Sequence, residues 1–211
     1  MTGVVVTGGT GGIGRAVVEH YADADVIFSY HEDADGADAL DDATDSPDGR
    51  TVASRMDVTD PDSVERFATE AETALDAIDA VVHTVGIAEP QLLEASSDEQ
   101  FGRVVDTNLT GTARVARAFL TALRESAGSL VVLSSVGGTA GTVDTSYAAS
   151  KAGLHGFVRA LAREVGPDGV RVNALAPGPV DTSMNDVIVD HLESTDFLGH
   201  EGVDTHLPAY T

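Results

Sequence analysis

The chain has 211 residues, of which 42% are hydrophobic, enough for one domain with a substantial core. It contains no cysteine, which excludes a disulfide framework and thiolate chemistry, and no apolar run approaches the roughly 20 residues of a membrane span. Thirty-five acidic residues against 12 basic ones leave a net charge of −23, which argues against nucleic acid and anionic membranes as partners.

Self-repulsion of that size destabilises a compact state in dilute buffer, whereas at molar salt the Debye length falls to about 3 Å. Lysine occurs once, at Lys151, and the other basic residues are arginine. An acidic excess with lysine nearly absent is expected of a protein from a high-salt cytoplasm. The densest acid run is Glu32, Asp33, Asp35, Asp38, Asp41, Asp42, Asp45 and Asp48. It lacks the spacing of an EF-hand calcium loop and is expected to be a solvated helix face and loop. The seven histidines include no H-E-x-x-H or comparable pair, so no metal site is expected.

Along the chain, Gly3 to Thr7 carries Val4-Val5-Val6 and stops at glycines, the pattern of a buried parallel strand. A helix is expected from about Ile13 to Ala22, a second strand over Val26–Tyr30 and a third over Thr51–Met56, ending at Asp57-Val58. Val64, Phe67, Ala68, Ala71, Leu75 and Ile78 then recur at helical spacing. Ala80–Thr84 is the fourth expected strand, Phe101–Arg124 a long helix, Ser129–Leu133 the fifth strand, Tyr147–Val165 a second long helix and Val170–Ala174 the sixth strand. Past Met184 the pattern fades into one more helix over Asn185–Leu192 and an irregular tail at 193–211. Strands alternating with helices predict an α/β fold of βαβ units, with a parallel sheet and right-handed crossovers, in a single domain over 1–211.

Two stretches carry chemistry. Thr7-Gly8-Gly9-Thr10-Gly11-Gly12-Ile13-Gly14 lies between the first strand and the first helix. Glycines there let backbone approach a pyrophosphate closely, and the helix N-terminus supplies free N–H groups. The second is Tyr147-Ala148-Ala149-Ser150-Lys151. Residues i and i+4 share a helix face, so the ammonium is expected under the phenol, where it would lower a tyrosine pKa that is normally about 10. A tyrosine tuned in that way exchanges protons near neutral pH.

From about Thr2 to Met184 the motifs fall in a family order: the glycine turn, Asn108-Leu109-Thr110-Gly111, Ser134-Ser135, Tyr147-x-x-x-Lys151, then Pro177-Gly178-Pro179-Val180-Asp181-Thr182. This resembles the short-chain dehydrogenase/reductase family. Around Asn108 and from Tyr147 to Met184 it is most like 3-oxoacyl-carrier-protein reductases and acetoacetyl-CoA reductases. The resemblance implies a Rossmann-type doubly wound parallel sheet in order 3-2-1-4-5-6. It implies hydride transfer between a nicotinamide dinucleotide and a carbonyl or secondary alcohol, with a β-ketoacyl thioester as the favoured substrate. A sugar or polyol dehydrogenase, or a non-catalytic NAD(P)-binding regulatory protein, is the alternative.

Carried over by resemblance, Tyr147 is the general acid or base. Lys151 lowers its pKa and bonds the nicotinamide ribose. Ser135, preferred over Ser134, holds the substrate carbonyl. Asn108 sits at a helix break and holds a proton-relay water. Gly8, Gly12, Ile13 and Gly14 line the pyrophosphate, Asp57 and Val58 flank the adenine, and Val85 and Gly86 lie against the adenosine side. Pro177, Gly178, Val180 and Thr182 hold the nicotinamide. No carboxylate stands at Tyr30, and His31 with Ser29 are the candidates for a ribose 2′-phosphate, so NADP is expected, with NAD possible. Two departures stand out. His83-Thr84-Val85-Gly86 replaces the usual Asn-Asn-Ala-Gly, leaving His83 as either a hydrogen-bond donor or a neutral core histidine. The usual seventh strand is also absent, which is expected to expose a sheet edge. Because the glycine turn begins at Thr7, no signal peptide is expected and the protein is placed in the cytoplasm. A homodimer or homotetramer is expected through the two long helices.

Overall fold

The structure is a computed structural model and describes residues 2–194 apart from Asp45, Asp48 and Val143. Two acids of the run and the tail at 195–211 lie outside the described residues. Six strands alternate with helices. In chain order they are β1 (Gly3–Thr7), α1 (Gly12–His20), β2 (Asp25–Tyr30), α2 (Ala34–Ala43), β3 (Arg50–Arg55), α3 (Pro61–Ala74) and β4 (Ala80–His83). Then come α4 (Asp98–Val105), α5 (Gly111–Ser126), β5 (Ser129–Leu133), α6 (Gly137–Ala140), α7 (Thr145–Val165), β6 (Arg171–Leu175) and α8 (Ser183–Ser194). All strand pairs are parallel, in order β3-β2-β1-β4-β5-β6.

Side chains alternate across the sheet with a period of two, so β1 feeds two cores. Val4 and Val6, with Val26 and Phe28, pack against Val18 of α1 and Ala37 and Leu40 of α2. Val5, with Ile27, Val81 and Leu130, packs against Phe67 of α3, Phe119 of α5 and Leu154 of α7. Phe67 and Phe119 meet edge to face with centroids 6.1 Å apart. The connections reverse direction between β1 and β4, and a doubly wound sheet opens a crevice at the carboxyl ends of its strands there.

The expected helix over Phe101–Arg124 is interrupted where Asn108 was placed at a break. A π-turn, Asp106–Thr110, separates α4 from α5. The cause is local. The buried Asn108 side chain bonds the Ile87 backbone in both directions, accepting from its N–H at 2.8 Å and donating to its carbonyl at 2.9 Å. Thr112 Oγ1 donates to the Asn108 carbonyl at 2.7 Å. Widening the turn brings the amide to that loop, a common use of a π-bulge. α8 begins two residues earlier than expected and reaches Ser194, inside the segment expected to be irregular. Among the described residues β6 has no partner on its outer side, and its Arg171, Asn173 and Leu175 are exposed. No helix among them is long and apolar enough to cross a membrane.

Candidate active site

An open cleft of about 1470 Å³ runs along the carboxyl ends of β1, β2, β4 and β5. At its floor β1 hands over to α1. Gly14 belongs there because a Cβ on it would stand 2.1 Å from the Gly8 carbonyl oxygen, so only glycine lets α1 start against the turn. Four of the other helices are capped at their N-termini by a side chain: Asp33, Asp60, Ser97 and Asp144. α1 is capped only by Gly11, with no side-chain bond and no acid in its first turn. In a chain with 35 acidic residues, the helix end that faces the cleft has been kept free of them. Unfilled N–H groups at a positive dipole end fit a phosphate anion, and Gly8, Gly12, Ile13 and Gly14 all line the cleft beside them.

At the end of β2, Ser29 has a structural role besides the one expected of it. This residue is buried, its Oγ accepts from the Gly8 N–H at 3.0 Å, and its carbonyl accepts from the Gly9 N–H at 2.7 Å. It pins the glycine turn while still lining the cleft. His31 is half-exposed in the cleft wall, with Nε2 3.5 Å from Asp57 Oδ2. Burial raises the Asp57 carboxyl, but two hydrogen bonds from Thr59 and the charges of His31 and Arg55 outweigh it and leave the group below its ordinary value. Val58, Val85, Gly86, Pro177, Gly178, Val180 and Thr182 line the same cleft.

His83 proves to be a core histidine. It is 1% exposed, Nδ1 shares a 2.7 Å hydrogen bond with Thr7 Oγ1, and Nε2 has no partner. Burial first, then the nearby Lys151 charge, push its pKa down to about 3, so the ring is neutral. The tie from β4 to the glycine turn comes from its neighbour. Thr84 Oγ1 donates to the Thr7 carbonyl at 2.7 Å and reaches the Gly8 carbonyl at 3.2 Å.

The chemical centre lies where β5 ends and α7 begins. Tyr147 is 8% exposed and lines the cleft with Ser135. Ser135 Oγ accepts from the Gly137 N–H at 3.0 Å. Ser134 turns away, its Oγ donating to the Lys151 carbonyl at 3.0 Å and bonding His155 Nε2 at 2.8 Å. Lys151 is 3% exposed, with Nζ 5.6 Å from the Tyr147 ring centroid and donating to the Leu133 carbonyl at 2.9 Å. A Cβ on Gly86 would stand 2.9 Å from that Nζ and 3.3 Å from Asn108 Oδ1, so the loop passes close over the ammonium. Asn108 lies one layer below the cleft, its Nδ2 donating to Ser150 Oγ at 3.0 Å.

The placement of Lys151 under Tyr147 agrees with the i, i+4 reading, but the direction of the tyrosine shift does not. Burial raises the phenol, the Ser135 hydroxyl opposes, and the Asp144 charge adds to the rise. Burial lowers Lys151 to about 8. Both groups lose hydration in the same pocket, and desolvation disfavours each charged form.

Residues 2–193 match the family described as short chain dehydrogenase. The chain belongs to the short-chain dehydrogenase family. Relatives of this dehydrogenase include the 3-oxoacyl-acyl-carrier-protein reductase FabG of Chlamydia muridarum, 35% identical, with 90% of this chain and 78% of that one covered. FabG of Escherichia coli is 35% identical over 88% of this chain and 76% of its own. The 3-oxoacyl-acyl-carrier-protein reductase MabA of Mycobacterium avium is 33% identical over 90% and 72%. Among solved structures, a dehydrogenase/reductase from Sinorhizobium meliloti superposes with TM-score 0.83 at 33% identity, covering 92% of this chain and 78% of that one. An alcohol dehydrogenase from the archaeon Thermococcus sibiricus, complexed with 5-hydroxy-NADP, gives 0.82 at 27% identity, covering 88% and 79%.

This dehydrogenase is thus an oxidoreductase that moves hydride between a nicotinamide dinucleotide and the carbon of a small-molecule carbonyl or alcohol. Three residues of the site escaped the sequence reading: Asp144 at the start of α7, and Glu89 with Arg103, a bidentate pair with both contacts at 2.7 Å. The bonds that join the three to one another, from Asp144 to Glu89 and from Glu89 to Arg103, link separate segments of the chain, and no local spacing announces them.

Proposed function

We propose that this dehydrogenase uses NADPH to reduce a β-ketoacyl thioester to its β-hydroxy form. The observation that carries the reading is that Ser135, Tyr147 and Lys151 line one cleft together, which also holds the uncapped end of α1. The names of the relatives support the thioester, and the NADP derivative in the archaeal neighbour supports the phosphorylated dinucleotide. Gly8, Gly12, Ile13 and Gly14 would take the pyrophosphate, with Asp57, Val58, Val85 and Gly86 on the adenosine side. Pro177, Gly178, Val180 and Thr182 would hold the nicotinamide, and His31 would meet the 2′-phosphate. When bound, the dinucleotide supplies the hydride.

The chain's own residues handle the oxygen. Ser135 donates a hydrogen bond to the substrate carbonyl oxygen and stabilises the charge that develops there. Tyr147 gives up its phenolic proton to that oxygen, and a phenol raised by burial is a group that still holds its proton when the substrate binds. Lys151 stands beneath to stabilise the phenolate left behind, and Asn108 fixes the loop over it and would hold a relay water.

We further read residues 1–211 as one NAD(P)-binding domain of a cytoplasmic protein adapted to high salt. It would be a homodimer or tetramer through α4–α5 and α7. α7 presents Ala149, Ala152, Gly156 and Ala160 to solvent at helical spacing, a small-residue face suited to close helix packing.

The test is a comparison of kcat/KM in molar KCl for acetoacetyl-CoA against a polyol and a sugar, each with NADPH–NADP and NADH–NAD. The reading expects acetoacetyl-CoA with NADPH to lead. A tenfold preference for NADH overturns the cofactor choice, and a leading polyol overturns the substrate class.

A further inference from the structure

Asp144 is a nearly fully buried carboxylate, 4% exposed, that lies behind the cleft and takes no part in the reaction just described. It accepts three hydrogen bonds. Oδ1 receives the Ser146 hydroxyl at 2.6 Å and the Tyr147 N–H at 2.9 Å, and Oδ2 receives the Glu89 N–H at 3.2 Å. The first two belong to the opening turn of α7, where Asp144 is the N-cap. The third belongs to the loop after β4, 55 residues earlier.

That loop is a wall of the cleft, contributing Gly86, Ile87 and Glu89. It is gripped at both ends. Asn108 holds Ile87 through two bonds. Glu89 is held by Asp144 on its N–H, by Gln100 Nε2 on its carbonyl at 3.1 Å, and by Arg103 on its carboxylate. Tyr147 hangs from the opening turn of α7 and faces the same wall. A single carboxylate therefore joins the helix that carries the phenol to the loop that closes over Lys151.

We propose that Asp144 is a positioning residue for Tyr147: its two oxygens lock the first turn of α7 to the Gly86–Glu89 wall and present one fixed negative charge to the phenol. The proposal rests on Tyr147 being the proton donor. The charged and titratable groups around the phenol come from each packed element. α7 contributes Asp144 and Lys151, the loop after β4 contributes Glu89, neutralised by Arg103 of α4, and α8 adds no charged residue to the lining. With Glu89 paired, Asp144 is the carboxylate whose charge reaches the phenol, and it favours the protonated form.

The variant Asp144→Asn keeps an oxygen for the Tyr147 and Ser146 donors, removes the charge and turns an amide toward the Glu89 N–H. Asp144→Ser keeps the helix cap alone. Two readouts follow: the pH profile of kcat/KM for alcohol oxidation, and the ultraviolet titration of tyrosinate in the protein without cofactor, taken as the difference from Tyr147→Phe. Both variants should fold, and both midpoints should move to lower pH by roughly half a unit or more, the scale of one removed neighbouring charge. The maximal rate should fall at least several-fold, because the wall is released.

Folded variants with unmoved midpoints overturn the proposal and leave Asp144 a plain helix cap. So does failure of both variants to fold. If Tyr147→Phe itself turns over normally, the reading of Tyr147 as proton donor is what fails, and the tyrosinate titration still reports on Asp144.

Discussion

Acidification should destabilise this protein through His83. The side chain sits in the sheet with a pKa of about 3 against an ordinary 6.5. Its folded value is depressed, so between those limits the unfolded chain binds a proton that the folded one refuses. Stability from this group is complete above pH 6.5 and is lost as pH falls toward 3. For one site with these two values, the loss between pH ~7 and pH ~4.5 is about 2.5 kcal/mol. Many carboxylates titrate in the same range, so the measurement must be a difference. His83→Asn cannot take up a proton and retains a partner for Thr7 Oγ1. Guanidinium unfolding of both proteins in molar KCl, at several pH values across that window, gives two curves. The wild type should lose about 2.5 kcal/mol more than the variant. Parallel curves would show that His83 is either charged in the fold or solvated, and the burial argument would fail.

Other expectations concern the site. Gly86→Ala places a methyl within 2.9 Å of Lys151 Nζ, and should lower kcat tenfold or more, about 1.4 kcal/mol in the barrier. A kcat within twofold of wild type would mean the ammonium has room to shift. Ser135→Ala should cost roughly 100-fold in kcat. Ser134→Ala should instead cost about 1 kcal/mol of stability and leave kcat near wild type; the reverse pattern would exchange their roles. The excess of 23 negative charges predicts a thermal midpoint that climbs steeply between about 0.1 and about 2 M KCl, and a flat response would remove the halophilic reading.

The frame of this fold is legible in the sequence because it rests on local signals. Val4-Val5-Val6 bounded by glycines, the helical recurrence from Val64, and the break at Asn108 each follow from a few adjacent residues, and the strand order follows from the family resemblance. Burial is less legible. The spacing of Tyr147 and Lys151 places the ammonium under the ring correctly, yet the sign of the tyrosine shift depends on how dry that pocket is. The same dryness turns His83 into a neutral core residue and occupies Ser29 with the glycine turn. Lys151 fills its space so closely against Gly86 and Leu133 that Lys151→Arg should carry an overpacking cost of about 1–3 kcal/mol, a cost that charge alone does not suggest. The Asp144–Glu89–Arg103 chain is invisible from sequence for another reason: its bonds span 55 and 14 positions.

The central claim is that Tyr147 delivers the proton during NADPH-dependent carbonyl reduction. The direct measurement sets wild type beside Tyr147→Phe, with NADPH and acetoacetyl-CoA in molar KCl, recording both the loss of reduced-nicotinamide absorbance and NADPH binding by fluorescence. The wild type should oxidise NADPH. The variant should bind it with similar affinity and turn over at least about 100-fold more slowly, the scale of a lost general acid. Equal rates in the two proteins would contradict the account.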